Sequence, residues 1–286
     1  QMKDQAEVLR RRIQEMEGEK QAKTIAIASG KGGVGKSNFC INFALQLMRN
    51  DKKVLIFDLD IGMGNIDILM GKSPRRTFVD LFREEMSIRD IIELGPESLS
   101  YIAGGSGLSH IFELDQTKFA YFQSEFEELT KSFDYILFDM GAGATRDSLH
   151  FISSAHEAIV VTTPEPTSLT DGYAMIKHLV HKDKSLPIKI LVNRSLNEKN
   201  GRNTFDRLSL VVERFLEAEV ALLGVLPDDR SVLEAVNKQR PFVIDRPKSK
   251  VSRSLEELVR DYLNESHSHE SPLSFVDKLK RFVFER

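Results

Sequence analysis

Gly30, four residues, then Gly35, Lys36 and Ser37 form the most chemically loaded stretch of this chain. The spacing sits between the apolar run TIAIAS and the helix-forming run NFCINFALQLM, the context a phosphate-cradling loop requires. Glycines allow successive backbone N–H groups to turn inward on an anion, and the helix start adds its positive dipole end. Gly30, Gly32, Gly33, Val34, Gly35 and Asn38 are the expected cradle. Lys36 is placed to reach the β- and γ-phosphates of a nucleotide, and the Ser37 hydroxyl to ligand Mg²⁺.

Carboxylates recur where such a site needs them. The strand-like run VLIFDLD ends on Asp58 and Asp60, which two-residue periodicity puts on one side of a strand. The carboxyl end of a parallel strand is where open α/β sheets bind ligands. YILFDM carries Asp139 after four apolar residues, the Walker B pattern, and this carboxylate is expected to hold Mg²⁺ or one of its waters. Asp134, just ahead of that strand, reads as solvated.

The elements that must position these groups are short runs dense in Val, Ile and Leu: TIAIAS, VLIFDLD, YILFDM, AIVVTT, IKILVNR and ALLGVLP, with helical stretches between them. Near-continuous apolar character suits parallel strands covered on both faces. The expected fold class is therefore α/β, a doubly wound and mostly parallel sheet with helices on both faces. The domain plan is an N-terminal appendage (1–22) with sparse apolar positions at Val8, Leu9, Ile13 and Met16, one core domain (23–264), a polar linker (265–271) and a short tail (272–286).

Charge and cysteine content narrow the function. Forty basic residues against 43 acidic ones give a net charge of -3, so no global attraction to nucleic acid or to an anionic membrane is expected. The single cysteine, Cys40, can form neither an internal disulfide nor a cysteine-held cluster, which fits a reducing compartment. No apolar run approaches the roughly 20 residues of a membrane span, and the N-terminus has no signal-peptide core. A soluble, cytoplasmic protein is expected.

Lys31, directly after the first glycine, is not demanded by the general phosphate loop. With it, Lys31-Gly32-Gly33-Val34-Gly35-Lys36-Ser37 resembles KGGxGK[ST], the signature of the MinD/ParA class of deviant P-loop ATPases. The resemblance implies ATP with Mg²⁺, hydrolysis, and an ATP-dependent homodimer in which Lys31 reaches the partner's nucleotide. DLDIGMGNIDILMG is similar to the switch I segment of that class. It assigns Asp60 to orienting the attacking water, Asp58 to the Mg²⁺ water shell, and Asn65 and Asp67 to the switch, a turn-capping role being open for the last two. Asp139-Met140-Gly141-Ala142-Gly143 departs from the usual Asp-Ser-Pro-Ala-Gly but keeps a glycine for the γ-phosphate. Asn193-Arg194 and Pro227-Asp228-Asp229 resemble the segments that hold adenine, and a guanine-reading lysine–aspartate pair is absent there.

The two ends carry further resemblance. Asp4-Gln5-Ala6-Glu7-Val8-Leu9-Arg10 is similar to the DQAxxLR activator motif of the FlhG (YlxH, FleN) family of MinD-like regulators of flagellar number and placement. That likeness implies stimulation of the GTPase FlhF through Gln5, Leu9 and Arg10, and contact with flagellar switch (C-ring) components. In the tail, Phe275, Val276, Leu279, Phe282 and Val283 recur at helical spacing among Lys278, Lys280 and Arg281, with Ser274 and Asp277 as a capping pair. Its plain reading is a helix docked on the core; the resemblance implies an amphipathic helix for an anionic membrane, at the inner face of the cell membrane. About eleven helical residues span about 16 Å, and each basic residue adds about 1 kcal/mol near anionic lipid, so one such helix binds reversibly and two on a dimer bind better. An iron-sulfur electron-transfer ATPase is set aside by the lone cysteine. The alternative of the same core chemistry is a ParA-type DNA partition ATPase, marked by salt-sensitive DNA retention.

Overall fold

Alternation decides how the apolar runs are used. In the computed structural model, which describes residues 21–60, 65–83, 86–104, 111–265 and 274–284, successive strand residues go to opposite cores. Ile25 and Ile27 join one cluster while Ala26 and Ala28 join the other; Leu137 and Tyr135 separate in the same way from Ile136, Phe138 and Met140. A strand that feeds two cores has no face left for polar residues, which is why the sequence shows no alternation.

The strands are β1 (Lys23–Ala28), β2 (Val54–Leu59), β3 (Glu93–Leu94), β4 (Ser100–Ile102), β5 (Tyr135–Met140), β6 (Glu157–Thr162), β7 (Ile188–Ser195) and β8 (Ala221–Pro227). Among the described residues they form one sheet in the order β3-β4-β2-β5-β1-β6-β7-β8. Each ladder is parallel except the short antiparallel pair at the β3 edge. The six apolar runs all appear as strands; β3 and β4, of two and three residues, are too short to stand out in the sequence.

The longer helices are α1 (Lys36–Met48), α2 (Gln116–Ser132), α3 (Arg146–Ser154), α4 (Pro166–Lys182), α5 (Glu198–Leu216), α6 (Arg230–Asn237), α7 (Lys250–Glu265) and α8 (Phe275–Phe284). The core with α1, α6 and α7 covers one face of the sheet, and the core with α2, α3, α4, α5 and α8 covers the other. The strand order reverses about β1: β5 and β2 lie to one side and β6 and β7 to the other. A cleft therefore opens at the carboxyl end of β1, where the loop into α1 begins.

The tail forms α8, docked on the core. Ser274 Oγ accepts the backbone N–H of Asp277 and donates to its carboxylate at 2.8 Å, the capping pair read from sequence. Phe275 is 1% exposed, its ring centroid 4.8 Å from that of Phe138 and 5.1 Å from that of Phe126. Val276 and Leu279 are equally buried, and Phe282 stacks on His150 at 4.7 Å. In this state the residues expected to meet lipid are spent inside the protein. The activator motif at Asp4–Arg10, with Gln5, Leu9 and Arg10, lies outside the described residues, as do positions 61–64 of the switch-like segment and the linker beyond Glu265.

Candidate active site

Helix α1 starts without a side-chain cap: its N-cap is Gly35, at φ 91°. Only glycine holds that left-handed geometry without strain, and the uncapped N-terminal N–H groups are left for an anion. Gly35 is constrained twice, because a Cβ there would lie 2.5 Å from Asn193 Nδ2. Gly30 allows a second close approach, to the backbone carbonyl of Asp171 in α4.

Behind the loop, Lys36 is buried and donates to Asp139 Oδ1 at 2.7 Å; its Nζ also lies 3.4 Å from Ser37 Oγ. Asp139 is fully buried and its Oδ2 has no hydrogen-bond partner. In the β2–β5 ladder Asp58 stands directly opposite Asp139. Burial, followed by the charge of Asp139, pushes the Asp58 carboxyl up to about 7. One lysine thus serves two adjacent buried carboxylates, one with a bare oxygen. The donor set, hard oxygens of Asp58, Asp139 and Ser37, fits Mg²⁺. A ladder partnership between Asp58 and Asp139 was not readable from their positions in the sequence, although both were singled out.

Asp60 follows β2, half-buried, with its N–H donating to Asp58 Oδ1 at 3.1 Å. Burial raises its pKa, Lys36 opposing. A Cβ on Gly141 would come within 3.2 Å of Asp60 Oδ1, so the glycine after Met140 leaves room for this carboxylate. Gly143 N–H donates to the Ser29 carbonyl at 3.0 Å, fastening the segment after β5 to the end of β1. The departure from the usual sequence therefore keeps Gly143, tied to the loop, and puts a second glycine, Gly141, against Asp60 where the usual pattern has proline.

Lys31 is held within its own chain. Its Nζ donates to Glu165 Oε2 at 3.0 Å and to Thr167 Oγ1 at 2.9 Å, at the start of α4. Both partners were missed from the sequence. The available signal was position: Glu165 closely follows the carboxyl end of β6, the same kind of place that singled out Asp60. Pro166 occupies the first position of α4, and Glu165 is its N-cap without a side-chain cap bond, which leaves the carboxylate for Lys31.

A cleft of about 780 Å³ runs from Gly35 and Asn38 toward the ends of β7 and β8. Asn193, Arg194, Pro227 and Asp229 all line it. The Asn193 amide donates to the Val34 carbonyl at 2.9 Å, which fixes the amide plane beside the loop. Arg194 takes a left-handed φ of 54° and is exposed. Asp229 has structural work as well: it caps α6 through Ser231 N–H at 2.9 Å and receives Val251 N–H at 3.2 Å, and its pKa is lowered by hydrogen bonds from these groups against the opposing effect of burial. Leu196 and Leu233, which sequence reading passed over, line the same cleft.

This arrangement, a phosphate loop backed by two opposed carboxylates and open to a nucleoside-sized cleft, matches known proteins. The family model for ParA, described as "NUBPL iron-transfer P-loop NTPase", matches residues 20–263. The chain belongs to the MinD/ParA family of P-loop ATPases. The iron-transfer part of that description calls for thiolate ligands, and the one cysteine of this MinD/ParA chain is buried in α1. The chain is 36% identical over 229 residues to the antiactivator FleN of Pseudomonas aeruginosa, covering 80% of this chain and 81% of FleN. It is 30% identical over 249 residues to the flagellum site-determining protein YlxH of Helicobacter pylori, covering 82% and 80%. MinD of Pyrococcus horikoshii complexed with Mg-ADP superposes with a TM-score of 0.67 at 25% identity, over 88% of this chain and 100% of that one. As a MinD/ParA ATPase the chain hydrolyses ATP with Mg²⁺ as cofactor.

Proposed function

We propose that the chain is an ATP-driven, dimerising switch that controls flagellar number and placement. The observation that carries this reading is similarity to FleN and YlxH over about four fifths of the chain, joined by the Asp4–Arg10 motif at the N-terminus.

In the switch, main-chain N–H groups from Gly30 to Asn38 hold the phosphates, and Lys36 leaves Asp139 to neutralise the β- and γ-phosphates. Ser37, Asp58 and Asp139 hold Mg²⁺, which supplies charge neutralisation at the transferred phosphoryl group. Asp60 orients the attacking water. Asn193, Arg194, Pro227 and Asp229 surround the nucleoside. Lys31 exchanges Glu165 and Thr167 for the nucleotide of a second copy, so dimerisation reads the γ-phosphate. Turnover by the lone chain is slow and is accelerated by partners.

Dimerisation favours release of α8, whose Phe275, Val276, Leu279, Phe282 and Val283 then enter an anionic membrane at the inner face of the cell membrane. Two such helices on one dimer act at high effective concentration, so membrane residence follows ATP. Hydrolysis returns a monomer able to stimulate FlhF through Gln5, Leu9 and Arg10 and to engage C-ring components.

The test is ATPase activity and co-sedimentation with anionic liposomes, with and without Mg-ATP, for the full chain and for one ending at Ser271. The expected result is ATP-dependent sedimentation of the full chain alone. Equal sedimentation of the truncated chain would remove α8 from the membrane role. For the N-terminus, a Gln5→Ala chain is expected to lose stimulation of FlhF GTP hydrolysis; unchanged stimulation would remove the assignment of Gln5.

A further inference from the structure

Asn42 stands in the middle of α1 among Phe39, Ile41, Phe43 and Leu45, and like them it is fully buried. A primary amide in such a place must satisfy both its oxygen and its nitrogen. Nothing in the nucleotide chemistry described above uses it.

The partners of Asn42 fix which way its amide points. Oδ1 accepts the N–H of Val243 at 3.0 Å, in the first turn of the short helix Phe242–Asp245. A backbone N–H can only donate, so this contact identifies the oxygen and puts Nδ2 on the other side. There Nδ2 donates at 2.7 Å to the Asn38 carbonyl and at 2.7 Å to Asn38 Oδ1. Asn38 Oδ1 is therefore held inward as an acceptor, and its own Nδ2 turns away from Asn42. Asn38 is half-buried and lines the cleft beside Gly35, so what it offers there is an N–H donor. Capping the short helix requires only an acceptor at position 42 and leaves the two bonds to Asn38 without a purpose.

We propose that Asn42 is a positioning residue: it locks the Asn38 amide with its oxygen inward, so that Asn38 Nδ2 donates to the α-phosphate of the nucleotide. The inference rests on the nucleotide reading of this site. Lys36 is buried behind the loop, whereas Asn38, two residues on, lines the nucleoside cleft, so the phosphate nearest the ribose is the one it meets. An unheld amide turns over readily and offers its oxygen as well as its nitrogen. Oxygen facing phosphate repels, while N–H facing phosphate makes a charge-assisted hydrogen bond. Held by Asn42, the side chain has only the favourable orientation and loses little freedom on binding.

The experiment is calorimetric titration of the full chain with Mg-ATP for the parent, Asn38→Ala, Asn42→Ala and the double variant. Each single substitution is expected to raise the Kd about tenfold, and the double variant to stay within about twofold of Asn38→Ala, because Asn42 acts through Asn38. Losses that multiply in the double variant overturn the proposal and assign Asn42 to the fold of α1. A Kd within about twofold of the parent for either single variant also overturns it. A second measurement uses the parent itself, so it stands even if Asn42→Ala does not fold: side-chain amide exchange by NMR of the ¹⁵N-asparagine-labelled chain, with Asn38 assigned from the Asn38→Ala spectrum. The Asn38 NH₂ protons are expected to exchange freely without nucleotide and to be protected with Mg-ATP. Protection without nucleotide, or none with it, overturns the inward oxygen. A parent chain that binds no Mg-ATP defeats the nucleotide reading itself.

Discussion

Lys31 and Lys36 carry the same charge in one loop, yet their surroundings separate their roles. Lys36 is enclosed with Asp139, so Lys36→Ala removes the ion-pair partner of a fully buried carboxylate, and nucleotide affinity is expected to fall about a hundredfold or more by titration calorimetry. Lys31 sits on a partly exposed ion pair with Glu165, of a kind that contributes little to folding. Lys31→Ala is therefore expected to leave the melting temperature and ATP affinity close to those of the parent while abolishing the ATP-dependent dimer in analytical ultracentrifugation. A variant that still dimerised with ATP would put the γ-phosphate sensor elsewhere. These two lysines were legible from spacing and from family likeness. Glu165 and Thr167 were not, because their relevance comes from the side-by-side packing of β1 and β6, distant in sequence.

At the scale of elements, α8 is the clearest case of a segment whose sequence supports two uses. Its apolar positions are those of any amphipathic helix, and periodicity says only that one side leaves water. In the structure that side is occupied: Phe275 meets Phe126, Phe138 and Phe151, linking α8 to α2, β5 and α3. Phe275→Ala is expected to lower unfolding free energy by about 3 to 5 kcal/mol, the usual cost of emptying a core phenylalanine site, measured by urea denaturation with unchanged slope. If α8 is undocked in solution without ATP, the same substitution will cost less than about 1 kcal/mol, the range of an exposed position. The contrast with α7 is instructive: the expected helix near 249 to 263 is observed at Lys250–Glu265, and its strongly one-sided pattern has a single use, against α1 and β8.

For the molecule as a whole, acid stability has a definite sign. His156, between β1 and α8, accepts Thr24 N–H on Nδ1 at 2.9 Å, and burial, then Lys278 and Lys23, pushes its pKa down to about 4 from an ordinary 6.5. Between these values the unfolded chain binds the proton and the folded one does not, so this contribution is complete above about pH 6.5 and is lost as pH falls toward 4. The loss amounts to about 2 kcal/mol by pH 5. Asp58 runs the opposite way in the nucleotide-free protein: raised to about 7, it favours the folded state as pH falls through that value. The two are separated by comparison with His156→Gln, whose amide oxygen can still accept from Thr24. Parent stability is expected to drop between pH 7 and pH 5 by about 2 kcal/mol more than that of the variant, read from denaturant midpoints. Identical pH profiles would mean that His156 titrates normally.

The sequence alone determined the class of fold and the phosphate loop, because both are local: a glycine pattern between a strand and a helix, and apolar runs dense enough to need two covered faces. It also singled out Asp58, Asp60, Asp139 and Asn193 one by one. Only the tertiary structure decided who meets whom. The β2–β5 register sets Asp58 against Asp139, the approach of α4 to the loop gives Lys31 its partners, and the joined ends of β7 and β8 bring Leu196 and Leu233 to one cleft. Those pairings span long separations along the chain, where composition and periodicity carry no information and sheet order carries all of it.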